Sequence, residues 1–359
     1  HVPVHHLAGE STSLGDMFRR RVQRSSARPA LFHKPAGGAW TPLLWRDLYD
    51  QAARVAAGLC ALGIAAGERV AILGPTCPRW AVCDMGAQLA GVVSLGLYPQ
   101  QSVPQLRYLI EHSESRLLFV DGAEELEHVL AAIADLPQVL GVVPFTDELC
   151  AQHGGRDPRV LSPARLRDLP PDPQEIERRL AALSPDDTAA LIYTSGTTGP
   201  PKGAMISHGN ILSLLRASDG NMVFYEDDLS LVYLPMAHSA ERILSFYGRI
   251  NSGLCAAYAS SIGAVLKELQ EVRPTLFGSV PRIFEKAYSK IHGEVERKPA
   301  AVRRLFGWAS EVARRRLRHQ LAGEPVPLAL QLQHRLADRL VLQKIRAAFL
   351  VRCQVVPTR

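Results

Sequence analysis

The 359 residues include 47% hydrophobic and 21% charged side chains, a composition typical of a soluble globular protein and not of a disordered, collagenous or membrane-spanning one. No apolar run approaches the roughly 18 residues that a membrane-spanning helix needs. The net charge of +6, from 41 basic and 35 acidic residues, is modest, and neither a zinc finger nor an aromatic RNA-binding signature accompanies it, so we expect no nucleic-acid partner.

The six cysteines stand singly, without a CxxC pair or a zinc-binding spacing around them. The first residues contain no charged segment followed by an apolar one, the pattern of a secretion leader. We therefore expect reduced thiols and a cytoplasmic protein.

The first elements alternate between strand and helix patterns, which predicts parallel strands connected by helices. The predicted strands are Val70–Gly74, Val92–Leu97, Arg116–Val120 and Val139–Val143, and the predicted helices are Pro78–Ala90 and Ala123–Ala134. Residues 146–187 then change character, because prolines and paired glycines interrupt one short charged helix at Glu175–Leu183. This segment is typical of a surface connection.

The pattern of strands and helices returns at Thr188–Tyr193, a strand that leads into the glycine-rich segment Thr194–Gly203, and a helix is predicted to begin near Ser207, a good N-cap. The later predictions are strands at Leu229–Leu234, Leu254–Tyr258 and Thr275–Val280, a helix opening at Pro281, and two long helices after Pro299. The expected fold class is α/β, with two β/α units, largely parallel sheets and flanking helices. The expected organisation is a first unit at 1–145, a connection at 146–187 and a second unit at 188–359.

The segment Thr194–Gly203 holds four hydroxyls, three glycines and Lys202 within ten residues. Glycines allow backbone N–H groups to approach an anion, hydroxyls add donors and a lysine adds a positive charge, so the segment predicts a phosphate-binding loop. The P-loop of nucleotide triphosphatases does not fit, because it needs Ser or Thr after the lysine and Gly203 stands there. A solvated hairpin explains the composition less well than a phosphate site does, because the segment lies between an apolar strand and a capped helix.

The sequence of residues 186–210, DDTAALIYTSGTTGPPKGAMISHGN, resembles the signature of the AMP-forming acyl-CoA synthetases of the adenylate-forming superfamily. Three further segments resemble the long-chain fatty acyl-CoA synthetase branch: residues 90–110, 234–242 and 280–286. The resemblance runs from about Gly9 to about Arg346 and implies the N-terminal domain of that fold, incomplete at its C-terminal end.

The resemblance implies that ATP and a fatty acid form acyl-AMP, that coenzyme A then displaces AMP, and that Mg²⁺ is required. It implies a phosphate-binding loop of Thr194, Ser195, Gly196, Thr197, Thr198, Gly199, Lys202 and Gly203. Thr194 would also place its hydroxyl on Mg²⁺, and Lys202 would contact phosphate. His238 matches the family's histidine beside the acyl and adenylate site, and Lys202 and His238 are the predicted catalytic residues.

Several family motifs are not among the 359 residues: the adenine-binding Tyr-Gly-x-Thr-Glu, the ribose-binding aspartate and the lysine of the C-terminal lid domain. We therefore expect this chain alone to carry part of the machinery and to be inactive. An aryl-CoA ligase or a peptide-synthetase adenylation domain is the alternative within the family. A non-catalytic fragment that binds nucleotide or membrane is the alternative outside it. Acyl chain length and oligomeric state stay open.

Between Arg297 and Arg318 eight basic residues stand against one acidic residue, Glu311. Apolar residues at helical spacing run through the same stretch, which is typical of a membrane-surface helix and also of a packed helix with a basic outer face. We favour the packed helix and keep peripheral membrane contact as a hypothesis. The segment Val280–Arg282 fits equally well as a wall of the acyl passage and as an ordinary junction between strand and helix.

Overall fold

The computed structural model describes residues 2–35, 37–153, 155, 157–194, 199–219, 223–278 and 281–349. The strands are β1 Pro29–His33, β2 Thr41–Leu44, β3 Arg69–Leu73, β4 Val93–Leu97, β5 Ser115–Val120, β6 Gly141–Pro144, β7 Thr188–Thr194, β8 Lys202–Ser207, β9 Leu229–Val232 and β10 Cys255–Tyr258. The helices are α1 Leu14–Ser25, α2 Trp45–Ala61, α3 Pro78–Leu89, α4 Val103–His112, α5 Ala123–Ala132, α6 Asp147–His153, α7 Ala164–Arg167, α8 Pro173–Ala182, α9 His208–Asp219, α10 Gly248–Ser252, α11 Val265–Val272, α12 Pro281–Glu296, α13 Ala300–Leu321, α14 Leu328–Ala337 and α15 Gln343–Phe349. Two further segments are π-helical, π1 Ala240–Tyr247 and π2 Asp338–Leu342.

The main sheet has six strands in the order β6-β5-β3-β4-β7-β8, parallel except for β8, which runs antiparallel to β7 at the edge. Its inner strands are rich in buried apolar residues because both faces of the sheet are covered. In β3, Val70 and Ile72 enter a core with α1, α2 and α3, whereas Ala71 and Leu73 enter a second core with α4 and α5. The predicted α/β class with largely parallel strands is confirmed.

A second sheet has the order β2-β1-β10-β9. Its strand β1 pairs antiparallel with β2 and parallel with β10. Leu31, Ala256 and Tyr258 pack in its own small core. The strand predicted at Leu254–Tyr258 is therefore β10, and β1 and β2 were not predicted.

The chain divides into two compact units. The first takes the residues up to Asp228 and Val232–Ser260, and the second takes Leu229–Leu231 and the residues from Ser261 onward. The division of the sequence at residues 146–187 stays a prediction. In the structure β7, which follows that connection, pairs with β4, which precedes it.

The strand predicted at Thr275–Val280 was wrong within the described residues. Leu276 makes a single bridge to Ser230. The backbone N–H groups of Thr275 and Leu276 both donate to the Leu229 carbonyl, at 2.8 and 3.1 Å, and the Thr275 hydroxyl accepts the Leu229 N–H at 2.9 Å. Because these bonds converge on one residue, no ladder extends from them. Residues 279 and 280 lie outside the described ranges.

In the second unit, the two helices predicted after Pro299 are α13 and the continuous helical run α14, π2 and α15. Ala309 and Val312 of α13 pack against Leu330 and Ala337 of α14. No helix in the described part of the chain is long and apolar enough to cross a membrane.

Candidate active site

The segment predicted to bind phosphate lies in a β-hairpin. β7 enters it, β8 leaves it, and Thr194 and Lys202 are cross-strand partners at its end. Side chains at paired positions lie on the same face of the ladder, about 5 Å apart at Cβ, so the Thr194 hydroxyl and the Lys202 ammonium share one exposed surface. The segment therefore connects two strands, which corrects the prediction that it leads from a strand directly into a helix.

The tip of the hairpin lies partly outside the described residues: Ser195, Gly196, Thr197 and Thr198 are in the gap. Gly199 has φ of +97°, a conformation that favours glycine. After β8, the Ser207 hydroxyl accepts the Asn210 N–H at 3.1 Å, which confirms Ser207 as the cap of α9.

Three aromatic side chains surround the base of the hairpin. The Tyr193 hydroxyl and His112 Nδ1 share a hydrogen bond of 2.7 Å, and the Tyr108 hydroxyl donates to the Pro201 carbonyl at 3.0 Å. A side chain on Gly203 would place its Cβ 3.0 Å from Tyr193 Cζ, so glycine allows the ring to lie over β8. Burial raises the pKa of Tyr193 to about 12, so its hydroxyl stays protonated well into the alkaline range.

His238 lies in a segment that follows β9 and precedes π1. The Thr76 hydroxyl donates to the Leu234 carbonyl at 2.6 Å and accepts the Met236 N–H at 3.0 Å. A Cβ on Gly96 would lie 2.8 Å from Ala237 Cα, so the segment passes close against β4. The His238 ring is exposed, and its Nδ1 accepts the Ala240 N–H at 3.2 Å.

These contacts place the His238 segment and the hairpin at one edge of the main sheet. Thr76 follows β3, Gly96 lies near the end of β4, and Thr194 ends β7. Because β3, β4 and β7 are parallel neighbours, their carboxyl ends meet at the same edge. This edge is where open α/β sheets bind their ligands.

A buried polar network lies immediately after His238. Arg242 is 1% exposed and forms an ion pair of 2.5 Å with Asp84 of α3. The same guanidinium contacts Ser94 of β4 and, at 3.1 Å, the Tyr247 hydroxyl, which itself donates to Asp84 at 2.8 Å. Although burial opposes its charge, the attraction of Asp84 raises the pKa of Arg242. The network joins the start of π1 to α3 and β4.

The comparison with known families adds the decisive observation, because residues 18–343 match the model described as AMP-binding enzyme. The chain belongs to the AMP-binding enzyme family. AMP-forming ligases of this family, which join an acid to coenzyme A, use ATP and Mg²⁺. The resemblance stated from the sequence is thereby confirmed.

Curated relatives and solved structures agree with this family. The long-chain-fatty-acid–CoA ligase FadD15 of Mycobacterium tuberculosis is 32% identical over 98% of the chain, which spans 57% of that protein. The mouse long-chain-fatty-acid–CoA ligase ACSBG2 is 28% identical, with 96% of this chain and 52% of the relative covered. The adenylation domain of a Mycobacterium chelonae carboxylate reductase superposes with a TM-score of 0.64 at 26% identity, covering 80% of this chain and 49% of the other. The chain thus spans about half the length of the curated relatives that it matches.

The described residues at the end of the hairpin offer a cation and hydroxyl groups to an anion. Lys202 is exposed beside the Thr194 hydroxyl, and Tyr193 and Gly203 hold the two strands beneath them. A hydroxyl oxygen is a hard ligand of the kind that Mg²⁺ accepts together with phosphate oxygens and water. Within the described ranges no three His, Cys, Asp or Glu side chains converge as a metal site. The Thr194 hydroxyl is thus the oxygen donor of this surface that would suit Mg²⁺.

His208, in the signature segment, is buried at the start of α9, and its Nδ1 accepts the Leu14 N–H at 3.2 Å. Burial lowers the pKa of His208 from 6.5 to about 4, against a smaller opposing effect of Asp187. Such a histidine acts on stability rather than on chemistry.

We expect His208 to make stability depend on pH. Its pKa is lower in the folded chain than in the unfolded one, so its contribution is complete above pH 6.5 and is lost as the pH falls from 6.5 to 4. The loss from this group should be about 3 kcal/mol in the free energy of unfolding, measured by urea titration at pH 7, 5.5 and 4.5. In His208→Asn, which keeps an acceptor but does not titrate, this part of the decline should disappear. In the control His128→Asn, on α5, the decline should remain. An equal decline in the unmodified chain, in His208→Asn and in His128→Asn would contradict the assignment.

Sequence reasoning did not identify the residues that hold the site together. Thr76 and Asp84 lie in no motif, and Gly96 lies in the segment 90–110 but was not assigned a role there. Thr76 and Gly96 could have been found from their position at the ends of strands β3 and β4, where ligand sites form. Asp84 has no comparable signal, because its partner Arg242 lies 158 residues away.

Proposed function

We propose that the protein carrying this chain activates a long-chain fatty acid with ATP, first to acyl-AMP and then to acyl-CoA. The observation that carries the proposal is the exposed Thr194–Lys202 pair at the carboxyl edge of the sheet, in a chain that resembles long-chain fatty acid ligases over 98% of its length.

The first step suits this geometry. A fatty carboxylate is ionised at neutral pH, so it needs no general base. One of its oxygens attacks the α-phosphorus of ATP, the bond from that phosphorus to the bridging oxygen breaks, and pyrophosphate leaves. What the protein must supply is positioning of two anions and stabilisation of the charge on the leaving group. In the second step the thiol sulfur of coenzyme A attacks the acyl carbon, and AMP leaves.

In this proposal the loop Thr194–Gly203 holds the β- and γ-phosphates, and the Lys202 ammonium balances the charge that develops on pyrophosphate. His238 lies beside the acyl group and the adenylate. Mg²⁺, bound through the phosphates and the Thr194 hydroxyl, would neutralise further charge on the polyphosphate. Thr76 and Gly96 fix the His238 segment against the sheet.

A panel of acids tests the substrate class. The product of the complete reading frame that encodes this chain is incubated with ATP, Mg²⁺ and palmitate, octanoate, benzoate or single amino acids, and acyl-AMP and AMP are measured by mass spectrometry. The proposal expects palmitate to exceed benzoate and amino acids by at least tenfold. A preference for benzoate or for one amino acid would replace it with the aryl-CoA ligase or the peptide-synthetase alternative.

We also propose that the protein works in the cytoplasm, and we test whether the basic stretch Arg297–Arg318 contacts membranes through the first turns of α13, the hypothesis kept beside the packed helix. Ala309 and Val312 are buried against α14, whereas Val302 and Leu305 are 44% and 37% exposed beside Arg303 and Arg304. An exposed apolar pair among arginines suits an anionic membrane surface.

Sedimentation with anionic liposomes tests this contact. Binding is expected at low salt and loss of binding at 0.5 M salt, and Arg303→Glu with Arg304→Glu should abolish it, whereas Arg178→Glu on α8 should not. Equal sedimentation of all variants would show that α13 makes no such contact.

A further inference from the structure

Helix α4 is bonded to both ends of the loop in the β7–β8 hairpin, which we call the phosphate hairpin because it carries the predicted phosphate-binding segment Thr194–Gly203. Tyr108 and His112 lie one helical turn apart on α4, with their ring centroids 5.3 Å apart. His112 bonds to Tyr193 on β7, and Tyr108 bonds to the Pro201 carbonyl immediately before β8. One helix face therefore holds the two ends of one loop.

The attachment points adjoin the two residues proposed to contact phosphate. Thr194 directly follows Tyr193, and Lys202 lies between Pro201 and Gly203. β8 lies at the edge of the sheet and pairs with β7, so backbone pairing holds Lys202 from the β7 side. The Tyr108 and His112 bonds supply support from α4, outside the ladder, and the Tyr193 ring packs over its cross-strand partner Gly203.

We propose that Tyr108, His112 and Tyr193 form a clamp that positions Lys202 and Thr194 for the polyphosphate of ATP. The clamp residues are positioning residues, since they act through the hairpin and leave its phosphate-facing surface free. The role in ATP binding rests on the proposed function, whereas the effect on the hairpin does not.

Amide hydrogen exchange of the chain without nucleotide tests the clamp itself. In Tyr193→Phe, His112→Ala and Tyr108→Phe, the amides of residues 193, 194, 202 and 203 should exchange about three to ten times faster, while β3 and β4 keep their rates. Tyr49→Phe, which removes a hydroxyl from a half-buried tyrosine of α2, should change none of these rates. Unchanged exchange at the hairpin in all three variants would overturn the clamp.

Equilibrium binding of MgATP to the product of the complete reading frame tests the positioning role. His112→Ala and Tyr193→Phe should each weaken binding about three- to tenfold, and the double variant should be no weaker than the weaker single one, because both remove the same bond. His112→Asn, which can offer an amide group near the position of Nδ1, should restore affinity to within about twofold. A merely structural role would instead lower the melting temperature without this rescue.

The outcomes separate the two claims. Faster exchange with unchanged ATP affinity would overturn the positioning role. Absence of ATP binding by the unmodified protein would overturn the proposed function, and exchange alone would then decide whether the clamp orders the hairpin.

Discussion

Arg242→Ala is expected to lower the free energy of unfolding of the chain by about 3–5 kcal/mol. The substitution leaves the Asp84 carboxylate fully buried without its partner, and removing one member of a buried ion pair costs about that much. It also deprives the Tyr247 hydroxyl and Ser94 of a contact. Denaturant titration at pH 7 measures the loss.

Two controls identify the cause. Arg54→Ala removes an exposed ion pair with Asp50 on α2, and such pairs contribute about 0.3–0.5 kcal/mol. The double variant Arg242→Leu with Asp84→Leu removes both charges and should recover part of the loss, because no buried charge is left alone. A loss below 1 kcal/mol in Arg242→Ala, or a double variant less stable than Arg242→Ala, would contradict this explanation.

Lys202→Ala is expected to slow adenylation by 10²–10³-fold in the product of the complete reading frame, and to leave the melting temperature within about 2 °C. A preorganised group that stabilises charge in the transition state is worth about this factor. Lys202 is exposed at the end of an edge strand, so its removal leaves no cavity and no buried charge unpaired. Fatty-acid-dependent exchange of labelled pyrophosphate into ATP measures the rate.

Lys267→Ala provides the matched control, since Lys267 is 79% exposed on α11 and should affect neither quantity. Adenylation at the full rate in Lys202→Ala would show that the ammonium does not act on the leaving phosphates.

The elements that the sequence predicts well are those whose environment is uniform along their length. β3, β4 and β5 are mostly apolar because both faces of the sheet are covered, and their predicted limits agree with the structure to within one residue. The order of β3, α3 and β4 also follows from the alternation of the two patterns. The segment Thr194–Gly203 is singled out by its glycines, hydroxyls and lysine, a local composition that needs no knowledge of the rest of the chain, and its phosphate role stays a prediction.

β8 escaped prediction for a physical reason. Apolar and polar residues do not alternate regularly in residues 202–207, and Met205 is 75% exposed, because an edge strand has little core to face. Its pairing with β7 determines its structure, and pairing is not visible in its own composition. The Asp84–Arg242 pair is missed for a related reason: it joins residues 158 apart, and only the completed sheet brings them together.

The central claim is that Lys202 contacts the polyphosphate of ATP. The chain contains seven lysines, so reductive methylation with a carbon-13 label gives a small set of resolved NMR signals while each amine keeps its charge. Lys202→Arg assigns the signal of Lys202. On titration with MgATP up to several millimolar, the Lys202 signal is predicted to shift furthest and to saturate, and Mg²⁺ with AMP, which lacks the β- and γ-phosphates, should leave it nearly unmoved. A Lys202 signal that stays in place while MgATP shifts other lysines would contradict the claim.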